Sequence, residues 1–287
     1  MDLDAAQNRW YEGLCNGGFV KAPVNGITLA YDDRGAGLPL VFLHAFPLNR
    51  TMWTAQEQAL SSRFRVVTVD LRGHGESDAP LWRYTLDQAA DDVRGLLDHL
   101  SIQQAVFVGL SMGGYILFAC YRKYAERVKG LVLADTRAQA DTDEGKRARF
   151  EMAQIAYKQG AGAIADIMIP KLLSPSTIRT KPTLVQRVRA MIEGNPVSGI
   201  AGDLMAMAER ADSIPFLSQI ACSTQIIVGE WDQATPPSDA QLMADRIPGA
   251  RLSIIPDAAH LANLEQPDQF SEIVRSFAED VAGERLG

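Results

Sequence analysis

Residues 106–114, with the sequence VFVGLSMGG, constrain the fold of this chain more than any other stretch. An apolar run typical of a buried strand leads directly into Gly109-x-Ser111-x-Gly113, and a helical pattern follows from Tyr115. A serine at the apex of such a turn has a strained backbone, which leaves room only for small residues two positions away. Its hydroxyl is exposed, and the next N–H can point at an oxyanion. The stretch predicts a nucleophile at Ser111; the alternative is a glycine-rich turn that only packs a helix on a strand.

Strand and helix patterns alternate on both sides of this turn. Further runs of strand character lie at residues 40–43, 65–69, 130–134, 224–229 and 251–255, and helical patterns at residues 85–100 and 238–246 and from residue 267 onward. Asn25-Gly26 predicts a hairpin between residues 19–24 and 27–32, and Pro23 indicates that its first strand is at an edge. This alternation predicts an α/β fold, with a mostly parallel sheet and helices on both faces.

The alternation stops near Arg137, and residues 137–218 are helical in character with five prolines and no clear strand. Five of the nine methionines lie here, at positions 152, 168, 191, 205 and 207. They are either gap-filling side chains within a helical insertion or the pliable apolar lining of a cap over the site. We predict an N-terminal arm of residues 1–18, an α/β core of residues 19–136 and 219–287, and a helical cap of residues 137–218.

The composition excludes several classes of protein. A net charge of −7 argues against nucleic acid and anionic membrane surfaces as partners, and no apolar run has the length of a membrane span. The first residues lack the basic and apolar segments of a signal peptide. Cys15, Cys120 and Cys222 are typical of free thiols in a reducing compartment, and no Cys/His cluster has metal-site spacing. We therefore expect a cytoplasmic protein without a metal ion.

The histidines supply the candidate bases, because a serine hydroxyl is a poor nucleophile until a base accepts its proton. His44, His74 and His260 all follow predicted strands, and sites in open parallel sheets lie at the carboxyl ends of strands. Position in the chain therefore leaves all three histidines as candidates for the base. His99 lies near the end of a predicted helix and is expected at the surface.

A base also needs a carboxylate that fixes its tautomer. Asp232 follows the strand that precedes His260 in the chain and is our first choice, although it could instead cap the following helix or form a turn. Asp135, at the end of the strand after the Ser111 helix, and Glu230 are the alternatives. Asp257 is more typical of a turn residue.

Five motifs, taken in chain order, resemble those of the α/β-hydrolase family. They are His44-Ala45-Phe46-Pro47, Asp70-Leu71-Arg72-Gly73-His74-Gly75-Glu76-Ser77, Gly109-Leu110-Ser111-Met112-Gly113-Gly114, Gly229-Glu230-Trp231-Asp232 and Ala259-His260. The resemblance covers roughly residues 19–282 and extends to 3-oxoadipate enol-lactonases and cofactor-free haloperoxidase-like esterases. It implies the α/β-hydrolase fold with a helical cap insertion.

The resemblance also implies roles for particular residues. Catalytic residues in this family follow the order Ser, Asp or Glu, His, so Ser111 would be the nucleophile, His260 the base and Asp232 its orienting acid. The backbone N–H groups of Phe46 and Met112 would form the oxyanion hole.

One position departs from the family pattern. Ala45 stands where relatives usually have glycine, and its methyl group bears on the geometry of the Phe46 N–H. His44 is expected as a structural or pocket-floor residue. The other side chains expected around the substrate are Trp53, Tyr115 and Trp231.

The resemblance implies hydrolysis of a small carboxylic ester or lactone through an acyl-enzyme, with no cofactor. Perhydrolysis and cleavage of a carbon–carbon bond beside a carbonyl would use the same residues, and a binding protein that keeps the triad without turnover is a third hypothesis. Dehalogenase and epoxide-hydrolase chemistry are disfavoured, because those relatives have aspartate where Ser111 stands. Eleven Lys and Arg residues between Arg137 and Arg210 lie either on a solvated face or beside a substrate carboxylate.

Overall fold

The computed structural model describes residues 20–81 and 83–283; the predicted arm of residues 1–18, and Phe19, lie outside them. The described residues form an eight-stranded sheet in the order β1-β2-β4-β3-β5-β6-β7-β8. The strands are β1 (Val20–Val24), β2 (Ile27–Arg34), β3 (Pro39–Leu43), β4 (Arg65–Val69), β5 (Ala105–Leu110), β6 (Val128–Ala134), β7 (Ser223–Gly229) and β8 (Arg251–Ile255). β1 and β2 pair antiparallel to their neighbours, and β3 to β8 are parallel.

Helices cover both faces of this sheet, which confirms the predicted α/β architecture. The helices that follow the strands are α1 (Thr54–Leu60), α2 (Leu86–His99), α3 (Met112–Tyr124), α8 (Pro237–Arg246), α9 (Ala262–Glu265) and α10 (Pro267–Ala282). α2 packs on α3, and α1 packs on α10. Thr85 caps the start of α2, because its hydroxyl accepts a hydrogen bond from the N–H of Gln88 at 3.0 Å.

Residues 135–222, all of them described, contain helices and no strand between β6 and β7. The α-helices are α4 (Asp143–Leu172), α5 (Pro175–Thr180), α6 (Pro182–Glu193) and α7 (Val197–Ala208). α4 is interrupted at Gly160, which has a φ of 82°. We call residues 137–218 the cap; its boundaries as a separate unit stay a prediction.

The hairpin predicted at Asn25-Gly26 joins β1 to β2. Asn25 has a φ of 49° and Gly26 a φ of 80°, as expected where a two-residue turn must match the twist of its strands. β1 is at the edge of the sheet, which confirms the interpretation of Pro23.

Trp53 is part of the hydrophobic core, so its predicted place beside the substrate is wrong. The indole is fully buried between Phe42 and Phe270, with ring centroids 5.0 and 5.8 Å away. Phe42 is on the central strand β3 and Phe270 on the last helix, so Trp53 packs distant parts of the chain together. None of the helices in residues 20–81 and 83–283 combines the length and hydrophobicity of a transmembrane span.

Two histidines are buried together below the carboxyl edge of the sheet, with ring centroids 5.1 Å apart. His44 Nδ1 donates to the Ala45 carbonyl and Nε2 accepts from the Leu71 N–H, each at 3.0 Å, so the imidazole is bound in its neutral form. Burial, with a contribution from Arg50, lowers the pKa of His44 to about 4. Burial and the neighbouring His44 lower the pKa of His74 to about 3.

These lowered pKa values predict a loss of stability in mild acid. An unfolded histidine binds its proton near pH 6.5, so below that pH each of these two histidines is more protonated in the unfolded chain than in the folded one, and its contribution to stability falls as the pH falls. Each histidine should lower the free energy of unfolding by about 2 kcal/mol between pH 7 and pH 5. The raised pKa values of buried Asp135 and Asp203 oppose this loss, so the contribution of His44 is measured as a difference between two proteins. Urea unfolding at the two pH values should show a change in the free energy of unfolding that differs by about 2 kcal/mol between His44→Gln and the wild type, with the wild type less stable in acid by that amount. The same pH dependence in both proteins would contradict the prediction.

Candidate active site

Ser111 lies at the sharp turn between β5 and α3. Its φ of 55° and ψ of −111° are rare for a residue with a side chain and are maintained only when the surroundings enforce them. Here the Ser111 N–H donates to the Ala134 carbonyl at 2.9 Å, and the Thr136 hydroxyl donates to the Ser111 carbonyl at 2.8 Å. The end of β6 therefore holds the turn in place.

The two glycines around Ser111 are required by close approach of the backbone. A Cβ at Gly109 would lie 2.6 Å from the Gly113 carbonyl carbon, and a Cβ at Gly113 would lie 2.4 Å from the Leu43 carbonyl oxygen. Both distances are shorter than any tolerable contact. The strand, turn and helix thus fit together in the way that the Gly-x-Ser-x-Gly spacing predicts.

Ser111, His260 and Asp232 form one hydrogen-bonded row. The Ser111 Oγ lies 2.8 Å from His260 Nε2, and His260 Nδ1 lies 2.8 Å from Asp232 Oδ2. His260 is in the loop between β8 and α9, and Asp232 in the turn after β7, so both lie at the carboxyl edge of the sheet. All three side chains are buried. A proton on Nδ1 directed at the carboxylate leaves Nε2 free to accept the serine proton.

The turn after β7 supports the Asp232 carboxylate with further donors. Its Oδ1 accepts from the N–H groups of Ala234 at 2.8 Å and Thr235 at 3.0 Å, and its Oδ2 accepts from the Thr235 hydroxyl at 2.6 Å. Burial alone would raise the pKa of Asp232, but the adjacent His260 and the bonds from Thr235 outweigh it and lower the pKa below its ordinary value. Asp232 therefore forms the turn and also contacts the histidine.

The alternative carboxylates have other partners. Asp135 Oδ1 accepts from the Gly229 N–H at 2.8 Å, and its Oδ2 accepts from the Ala262 N–H at 3.4 Å. Complete burial, together with the charge of Asp232, raises the pKa of Asp135 well above its ordinary value. Asp135 thus supports the backbone below the row. Glu230 is exposed at the surface, where it accepts from a turn N–H.

A cavity of about 100 Å³ opens beside Ser111 and His260. Phe46 and Tyr115 line it from the sheet side. The cap contributes Arg137, Arg149, Met168, Lys171, Leu172 and Met207. Two of the cap methionines therefore line the cavity, whereas Met191 is buried inside the cap, so both interpretations of the methionines apply.

Positive charge is in excess around this cavity. Among the described residues that line it, Arg137, Arg149 and Lys171 carry cationic groups. Asp141 forms ion pairs with Arg149 and with Arg210, which lies behind the wall and stacks on the Tyr115 ring 4.2 Å from its centroid. The Asp141 carboxylate is thus shared by two guanidinium groups, and the charge of Asp239 acts on Arg137 as well.

Two further residues predicted near the substrate lie elsewhere. His44 is fully buried and bonded to the backbone at Ala45 and Leu71, where it joins two loops below the cavity. Trp231 is 56% exposed and adjoins a separate surface hollow beside Pro175, because its neighbour Asp232 is the one turned inward.

The proposed oxyanion donors belong to two turns beside Ser111. Met112 is the first residue of α3, where backbone N–H groups have no partner within the helix. Phe46 belongs to the turn after β3 and lines the cavity. Ala45 is fully buried, and the Leu48 N–H donates to its carbonyl at 2.8 Å, so the turn is closed with the alanine methyl group in place.

Comparison with known proteins agrees with this geometry. A family model described as the α/β-hydrolase fold matches residues 39–267. A 3-oxoadipate enol-lactonase of Acinetobacter baylyi is 32% identical over 88% of this chain and 92% of its own length. A thermophilic esterase from Thermogutta terrifontis is 41% identical, with a TM-score of 0.89 over 92% of this chain and 99% of its own. The enol-lactonase from Burkholderia xenovorans is 33% identical, with a TM-score of 0.85 over 90% and 99%. The chain is therefore an enzyme of the α/β-hydrolase fold family.

Proposed function

We propose that this enzyme is a serine hydrolase that cleaves a small carboxylic ester or lactone through an acyl-enzyme. The observation that carries the proposal is the unbroken row from Ser111 Oγ through His260 to Asp232, which opens into a cavity. The similarity to an esterase and to enol-lactonases supports the same class of substrate.

The row performs the reaction in two halves. Ser111 Oγ attacks the substrate carbonyl while His260 Nε2 takes its proton, and the N–H groups of Phe46 and Met112 bind the oxyanion. The tetrahedral intermediate collapses, and the leaving alkoxide takes the proton from His260, which leaves an ester on Ser111. Water then attacks this ester with His260 as the base, and the acid is released with Ser111 regenerated. Asp232 holds the imidazole tautomer and stabilises its cationic form throughout.

The first test of this function combines turnover with labelling. The wild-type enzyme should hydrolyse 4-nitrophenyl esters of short acids, and a fluorophosphonate should label the peptide that contains Ser111. Lactones in the same panel measure the preference between open and cyclic esters, and peracid formation from acetate and hydrogen peroxide measures perhydrolysis. A protein inert to every substrate and to the label would refute the proposal and favour a binding protein.

We further propose that the substrate carries a carboxylate besides the ester that is cleaved. Arg137, Arg149 and Lys171 supply the cationic lining that such a group needs, and the related Thermogutta esterase was solved with malate, a dicarboxylate, bound. The cap basic residues that line the cavity would thus contact substrate, and those on exposed helix faces would be solvated.

Replacing Lys171 with methionine tests this charge preference. Methionine nearly keeps the length of the side chain but removes its charge. KM should therefore rise about fivefold for an ester whose acyl chain ends in a carboxylate, because a partly exposed ion pair contributes about 1 kcal/mol. KM for the corresponding methyl-capped diester should not change. Lys158→Met is the matched control, because Lys158 is on the same helix and is exposed like Lys171 but lies outside the cavity lining. Equal changes for the charged and uncharged substrates would contradict the preference.

A further inference from the structure

Asn195, in the connection between α6 and α7, joins the cap to two loops at the edge of the sheet. Its side chain is 4% exposed. The amide nitrogen donates to the carbonyls of Pro47 at 2.8 Å and Leu48 at 3.2 Å, and the amide oxygen accepts from the Gly75 N–H at 2.7 Å. An amide can donate twice and accept within one planar group, which no other side chain of this size can do.

The bonds of Asn195 fall on the turn that contains a proposed oxyanion donor. Pro47 follows Phe46 directly, and the turn is closed by the bond from the Leu48 N–H to the Ala45 carbonyl. The direction of the Phe46 N–H therefore depends on where this turn lies. Asn195 binds the two carbonyls on the cap side of the turn, so the cap takes part in fixing that direction.

A second contact, between the backbones of Gly199 and Gly73, fixes the distance between Asn195 and the loops of the core. A Cβ at Gly199 would lie 1.7 Å from the Gly73 carbonyl oxygen, so the backbone of α7 rests directly on the loop that contains Gly75. Asn195 is four residues before Gly199 and two residues before the start of α7. The close contact of the two backbones keeps the amide within hydrogen-bond distance of its three partners.

We propose that Asn195 is a positioning residue for the oxyanion hole, acting through the turn of residues 45–48, so that stabilisation of the transition state depends on the seated cap. This inference rests on the proposed function, because it assigns a role in the same reaction. Misplacement of a donor weakens an interaction that is made mainly in the transition state, so the effect is expected on kcat rather than on KM.

Asn195→Asp and Asn195→Ser test the proposal. Aspartate keeps the shape and the acceptor for Gly75 but repels the two carbonyls, and serine can donate to only one of them. We expect kcat to fall about 30-fold in the aspartate variant and less in the serine variant, with KM changed less than about twofold. Arg187→Ala is the matched control, because Arg187 also joins cap to core but binds the Thr51 carbonyl, outside residues 45–48. It should keep the wild-type kcat.

Inhibition separates this role from a merely structural one. A trifluoromethyl ketone forms a hemiketal oxyanion on serine, so its Ki should rise by the same factor by which kcat/KM falls across the Asn195 series. The Ki of an unreactive amide analogue should not change. Asn195 variants that keep the wild-type kcat and ketone affinity, or that change both Ki values equally, would overturn the inference. A wild-type protein without esterase activity would instead overturn the proposed function.

Discussion

Replacing Ser111 with alanine is expected to lower kcat for ester hydrolysis by about 10⁵-fold or more, because a triad acts as a unit and has no substitute nucleophile. The fold should be unaffected. The bonds that hold the turn involve the backbone N–H and carbonyl of Ser111, and alanine supplies both. Initial rates with 4-nitrophenyl butyrate, together with thermal unfolding, measure the two effects separately.

Ser271→Ala is the matched control for this substitution. Ser271 is also buried, and its hydroxyl donates to the Pro267 carbonyl at 2.7 Å, far from the cavity. The hydroxyl also accepts from Gln56 Nε2 at 3.3 Å. The control should keep kcat within about twofold, because deletion of these two structural hydrogen bonds affects stability and not chemistry. Retention of more than about one per cent of wild-type activity by the Ser111 variant would disprove its assignment as nucleophile.

Asp232→Asn is expected to lower kcat by about 10⁴-fold, the scale at which loss of the orienting carboxylate acts in triads of this kind. The amide would present an N–H group to Nδ1 of the imidazole, which favours the wrong tautomer, and it would remove the negative charge that stabilises the cationic form of His260. The hydrogen bonds of Asp232 to the turn would largely persist, so the fold should remain. Steady-state kinetics at neutral pH measures the loss.

Asp135→Asn provides the contrast, because the two carboxyl groups differ in charge. Burial raises the pKa of Asp135, which favours its neutral acid, and an amide resembles a neutral carboxyl in shape and keeps an acceptor for Gly229. We expect kcat within about fivefold of wild type. If the Asp135 variant lost activity and the Asp232 variant kept it, the two roles would have to be exchanged.

The parts of the site that depend on local sequence could be predicted. Gly109, Ser111 and Gly113 lie between a strand and a helix, and the steric demands of that turn are met within a few residues. The family order of the triad then favoured His260 over His44 and His74, and the structure places His260 within hydrogen-bond distance of Ser111. Thr235 lies three residues after Asp232, a spacing typical of a turn. This spacing could also have identified Thr235 as a hydrogen-bond partner of the Asp232 carboxylate.

The parts of the site that depend on side-chain direction or on docking of the cap could not be predicted from the sequence. Trp231 is adjacent to Asp232 in the chain, yet neighbouring side chains in a turn diverge, and one is buried while the other is exposed. Trp53 packs against a residue 217 positions away. Asn195 and Lys171 gain their partners or their place only when the cap lies on the core, and nothing in the local pattern around them indicates this.

The contact between the backbones of Gly73 and Gly199 has a consequence for protein engineering. It anchors the cap through α7, whereas several of the side chains that face the cavity, Arg149, Met168 and Lys171, belong to α4. Libraries randomised along α4 can therefore change which substrates the enzyme accepts, while the attachment of the cap to the α/β core is preserved. Larger residues at Gly73 or Gly199 would instead displace the whole cap from the core, and turnover of every substrate would fall.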